Sequence, residues 1–170
     1  MDFCDFNLLD VTSCTSCGFS TNVLENFRSQ SNRNAPFNVE QFQEGWEERM
    51  QSSLEKIKDP AAFMSEERDL EMALLSYDLA IETHKRLSEV ADTPYANVRK
   101  MASLNMVKAE MLSEAGRIDE AKAALKKVIE WLEPIFEQLD KEEIIKACLL
   151  LFRLKAVSYT HLRAHETNVD

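Results

Sequence analysis

The chain has 170 residues and a mass of 19.5 kDa, enough for one domain with a real core, and its 45% hydrophobic and 29% charged residues are ordinary for a globular protein. A formal charge of −10 and a pI near 4.9 disfavour nucleic acid or an anionic membrane surface as partner, because such affinity comes mainly from Lys and Arg against phosphate. Only 3 glycines and 4 prolines punctuate the length, which favours long helices over the many turns of an all-β fold, so the expected class is all-α.

Met1–Asp5 carries no basic-then-apolar leader, and no stretch approaches the ~18 consecutive apolar residues of a spanning helix, so a cytoplasmic protein is expected. Residues 1–37 read as an irregular N-terminal arm rich in Ser, Asn and Thr. Its one chemical signal is Cys14-Thr15-Ser16-Cys17-Gly18. Two thiolates at this spacing, with a Gly that lets the chain turn so that N–H groups point at the sulfurs, can grip one face of a tetrahedral zinc ion. That is half a site. Cys4 is the candidate third ligand, and no second Cys-x-x-Cys follows; Cys148 stands in an apolar helix far along the chain. A thioredoxin-like role lacks its βαβ surroundings.

Residues 38–155 read as helices. Asn38 can cap the first, with Gln41 at the return position, and Val39, Phe42, Trp46, Met50, Leu54 and Ile57 form one apolar stripe that ends at Asp59-Pro60. Phe42 and Trp46 are expected in the core. Ser65, followed by Glu66 and Glu67, is expected to cap the next helix, whose buried stripe runs Leu70, Ala73, Leu74, Tyr77, Ala80, Ile81, His84, Leu87 and Ala91. His84 has no partner motif and reads as a structural histidine. Thr93 and Pro94 open a helix over Tyr95–Ala115 whose apolar residues cover more than one stripe, so it should pack on two sides. Gly116 stops it. Ile118, Ala121, Leu125, Val128, Leu132, Ile135 and Leu139 form the inner face of the following helix, which Pro134 should kink or split. A last helix from Asp140 is apolar on nearly all sides through Leu154.

Two of these helices repeat. With an offset of 48 (73 to 121), Ala73 falls on Ala121, Tyr77 on Leu125, Ala80 on Val128 and Leu87 on Ile135. The pattern resembles the tetratricopeptide repeat: Gly116, Ala121, Leu125 and Val128 match one copy, with Pro134 near the family's closing proline, and Ala73, Tyr77 and Ala80 match another second helix. The helices are longer than in the usual ~34-residue unit. Small residues at Ala73, Ala80 and Ala121 let helices approach closely while Tyr77 and Leu125 fill the space between hairpins. The resemblance implies an α-solenoid fragment whose first helices line a groove for a peptide or partner protein, with Ser103, Met106, Glu110, Ser113 and Glu114 facing that groove. An acidic rim with an exposed Met would suit a basic or amphipathic segment.

The segment Val157–Thr167 resembles the in-frame translation of a transposase-type sequencing adapter, so residues 156–170 are expected to be a read-through tail on a chain cut short near Lys155. His161 and His165 then carry no metal site despite their i, i+4 spacing.

No phosphate-cradling loop, nucleophile elbow or complete metal signature is present, so no enzyme is expected and no cofactor beyond the zinc alternative. The reading is a protein–protein interaction scaffold. Its alternatives are a regulatory or sensor segment of a larger signalling or enzymatic protein, and an adaptor stiffened by a zinc knuckle.

Overall fold

The computed structural model describes residues 6–23, 37–65, 68–91 and 94–138. Cys4, the Thr93 cap, the last expected helix and the 156–170 segment lie outside these residues. The protein is mostly helical, as expected. A 3-10 turn, Phe6–Leu9, leads to β1 (Thr12–Ser13) and β2 (Ser20–Thr21), which pair antiparallel with Thr12 opposite Thr21. Three short helices follow: α1 (Val39–Gln43), α2 (Trp46–Leu54) and α3 (Pro60–Phe63). Three longer ones complete the order: α4 (Leu70–Val90), α5 (Pro94–Glu114) and α6 (Ile118–Leu132), with a 3-10 segment over Glu133–Gln138.

The single helix expected from Asn38 onward is two. Asn38 caps α1 by accepting the Gln41 N–H at 3.1 Å, but Gly45 then adopts φ +68°, where only Gly is at ease, and the ladder breaks. The break turns both Phe42 and Trp46 inward, with ring centroids 4.7 Å apart, and Phe19 and Phe37 pack on Phe42. The expected cap at Ser65 is also corrected. Its hydroxyl donates to the Ala62 carbonyl and closes α3, while Asp69 caps α4 by accepting the Met72 N–H at 2.8 Å.

Helix α4 carries the fold because it is buried on two faces. One face, with Ala73, Tyr77 and Ala80, packs with Met101, Leu104 and Leu112 of α5 and Ala121 and Ala124 of α6. The other, with Leu79 and Leu87, packs with Phe42, Trp46, Met50 and Phe63. Full burial of a large apolar side chain such as Leu79 or Leu104 contributes about 1.5–3 kcal/mol, so the two layers are comparable in substance.

The α5–α6 turn is a complete Schellman closure. Gly116 takes φ +77°, its N–H donates to the Ser113 carbonyl at 3.0 Å, and the Arg117 N–H reaches back to Leu112 at 2.8 Å. Asp119 and Glu120 sit at the positive end of α6, and the Arg117 guanidinium bonds both Glu120 oxygens and Glu71 of α4. At its far end α6 gives way to 3-10 geometry at Glu133, one residue before Pro134, because the ring removes the donor that the α ladder needs.

Candidate functional site

Helix α5 is wedged against α4 and α6 and keeps one side free of both. Asn105, only 3% exposed, fixes its contact with α6 by donating from Nδ2 to the Ala124 carbonyl at 2.6 Å. Lys108 pairs with Asp78 of α4. Between these contacts Ser103, Glu110 and Glu114 are exposed, and their spacing puts them on one outward stripe. Ser113 is half-buried beside them. The fifth expected groove residue, Met106, differs: it is half-buried and packs with Ala102, Val128 and Leu132, so it serves the α5–α6 contact more than an open groove. The repeat positions Ala73, Tyr77, Ala80, Ala121 and Val128 are all buried and Leu125 is partly so, while Gly116 occupies the turn.

On the far side of α4, the Cys14–Cys17 loop joins β1 to β2. Gly18 at φ +75° lets the chain reverse: its N–H donates to the Cys14 carbonyl at 2.8 Å, and the Cys14 N–H donates to Phe19 at the same distance. Helix α2 clamps the loop from outside. The Trp46 indole donates to the Cys17 carbonyl at 2.8 Å, and Met50 lies so close that a Cβ on Gly18 would meet its terminal carbon at 2.8 Å. From below, the Ser20 N–H donates to Thr83 Oγ1 at 3.0 Å, and Arg68 donates to the Val11 carbonyl and to Ser76. Arg68 is 7% exposed, with its guanidinium 5.2 Å from the centre of the Phe63 ring, and burial pulls its pKa down.

Both cysteines are free thiols of intermediate exposure. Burial works to raise the Cys14 pKa, but the backbone N–H groups of Cys17 and Ser16 and the neighbouring Cys17 side chain outweigh it and hold the thiol below its ordinary value. Cys17 moves the other way. Burial pushes it up first of all, the Phe19 N–H pulls against that, and the negative charges of Cys14 and Glu47 add to the rise. Among the described residues no cluster of three His, Cys, Asp or Glu side chains could hold a metal ion.

His84 is 2% exposed, with Nδ1 3.0 Å from Asn97 Oδ1 and Nε2 3.5 Å from Thr21 Oγ1. Because the asparagine oxygen only accepts, Nδ1 carries the proton and Nε2 faces the threonine hydroxyl. Burial lowers its pKa, Asn97 opposes that, and Lys100 adds to the lowering, so the ring is neutral at neutral pH. It joins β2, α4 and α5.

An open cleft of about 540 Å³ lies at the α4–α5–α6 junction beside the 56–59 loop, and its lining joins the apolar Met72 and Leu75 to the charged Asp78, Lys108, Arg117 and Glu120. These four charges pair with one another, through Lys108–Asp78 and Arg117–Glu120. The lining includes no Cys, His or Ser. Sequence reasoning placed no site there, because a cleft made by three helices and the 56–59 loop has no signature in any one of them.

A family model described as "Uncharacterized protein conserved in bacteria (DUF2225)" matches residues 4–164. The chain belongs to this family. The match takes in the Cys14–Cys17 loop, every helix described above and the first residues of the 156–170 segment, so the loop and the helical layer are parts of one family unit. No curated protein and no solved structure matches. No helix among the described residues is long and apolar enough to cross a membrane.

Proposed function

We propose that the chain is a non-catalytic protein-binding module built on tetratricopeptide-like hairpins, and that it offers the outward stripe of α5 to a basic or amphipathic segment of a partner protein. The observation that carries this reading is the division of α5 into two used faces and one unused one. Its inner faces are taken up by Asn105–Ala124, Lys108–Asp78 and the apolar core, while Ser103, Glu110 and Glu114 take no part in packing. The recurring burial of Ala73/Ala121 and Ala80/Val128 supports a repeated hairpin, since small residues at matching positions set the approach distance of successive helices.

The polar groups that could do chemistry support the non-catalytic part of the reading. Thr83 and Ser76 bond main-chain carbonyls of their own helix, and His84 is shut in between Asn97 and Thr21. A cytoplasmic setting is part of the same proposal, since free thiols such as Cys14 and Cys17 persist there.

Peptide-display selection on the purified chain tests it. Basic amphipathic peptides should be enriched, and the double charge reversal Glu110→Lys, Glu114→Lys should weaken them by about tenfold or more, as expected when rim charges face a complementary partner. Equal enrichment of acidic peptides, or indifference to the reversal, defeats the proposal.

A further inference from the structure

We infer that Cys14 and Cys17 form the thiolate half of a binding site for a soft divalent cation of the zinc(II) class, a role separate from the α5 stripe. The tip of the β1–β2 hairpin holds both cysteines on one turn, closed by the Gly18 N–H on the Cys14 carbonyl and the Cys14 N–H on the Phe19 carbonyl, each at 2.8 Å, with Gly18 at φ +75°. Backbone N–H groups of Ser16 and Cys17 converge on the first sulfur and that of Phe19 on the second. Such N–H groups stabilise negative sulfur, which is the form that binds metal.

Two further observations separate this loop from an ordinary turn. The Trp46 indole holds the Cys17 carbonyl from α2, and Met50 closes on Gly18, so the loop is fixed from outside its own hairpin. Ser20 and Thr21 seat it on Thr83 and His84 of α4. A dithiol redox pair is favoured by a helix N-terminus beneath one cysteine, and here both cysteines stand in a hairpin loop.

On binding, each S–H gives its proton to solvent and two metal–sulfur bonds form, with no change of oxidation state. Among the described residues no third His, Cys, Asp or Glu side chain joins the pair.

Cobalt(II) titration of the reduced full chain tests this, because thiolate-to-cobalt charge transfer in the near ultraviolet scales with the number of bound sulfurs. A band of at least two thiolates should appear and be discharged by added zinc(II). Cys14→Ser and Cys17→Ser should each lose it, while Cys148→Ser keeps it. Far-ultraviolet circular dichroism of each variant checks that the helices remain. No charge-transfer band in the reduced chain, or a band that survives in the Cys14→Ser, Cys17→Ser double variant with helices intact, overturns the inference. Neither result depends on whether peptides bind α5.

Discussion

Against one face of α4 the β1–β2 hairpin is seated by individual atoms: the Ser20 N–H on Thr83, Thr21 on His84, the Val11 carbonyl on Arg68. Against the other face α5 and α6 are seated chiefly by shape, with Ala73, Ala80, Ala121 and Ala124 setting the distance and Tyr77 and Leu104 filling it, and with His84–Asn97, Lys108–Asp78 and Arg117–Glu71 as polar ties to α4. Hydrogen bonds are directional and expensive to leave unmade, so the first contact fixes one register for the cysteine loop. Apolar packing tolerates volume-conserving change, so the second contact can vary in sequence and still hold the α5 stripe outward. The loop side is therefore the more exacting of the two.

The largest effect expected from breaking this contrast is at Trp46. Trp46→Ala removes both a core side chain and the donor on Cys17, and should cost about 3–5 kcal/mol. Hydrogen exchange should rise in α1, α2 and the cysteine loop, with α5 and α6 remaining the more protected. Uniform loss of protection would show the two sides to be a single cooperative unit instead.

A smaller effect is expected at Thr83. Thr83→Val keeps the shape and removes the acceptor of a fully buried Ser20 N–H, which should lower stability by about 1–3 kcal/mol in denaturant titration. An unchanged midpoint would mean that the hairpin is seated by shape as well. The smallest is Gly116→Ala. Nothing lies within 4 Å of the added Cβ, so the change isolates the backbone cost of φ +77°, about 1 kcal/mol. A neutral result would show that the Schellman closure contributes nothing to the hairpin.

Legibility in the sequence followed the same division. The stripes of α4 and α6 were readable because spacings of three and four report burial directly, and the Asn38 cap, the Gly116 stop and the Pro134 boundary were readable because each rests on local backbone chemistry. The burial of Ser76, Leu79 and Thr83 was not, since it arises only when the N-terminal region covers a second face of α4. The break at Gly45 is not legible for a related reason. A lone Gly within an apolar stripe is tolerated in a helix, and what breaks this one is the aromatic packing available to Phe42 and Trp46 once it bends. Ser65 and Asp69 are both competent caps, and the burial of Arg68 between Val11 and Phe63 accompanies the start at Leu70.

For the sites, the spacing of Cys14, Cys17 and Gly18 already specified a turn with two thiols at its tip. Its clamp by Trp46 and its seat on Thr83 and His84 join residues between 29 and 63 positions apart, which no local pattern encodes. Likewise the sequence assigned Met106 to the groove by repeat position alone, and α6 claimed it for packing. By itself the sequence determined the helical class, the Asn38 cap, the Gly116 stop, the Pro134 boundary and the apolar stripes of α4 and α6, because these depend on local backbone geometry and on transfer from water. Only the tertiary structure decided that α4 lies between two different contacts, because which element covers a buried face is settled by long-range packing and by the polar partners that packing brings within reach.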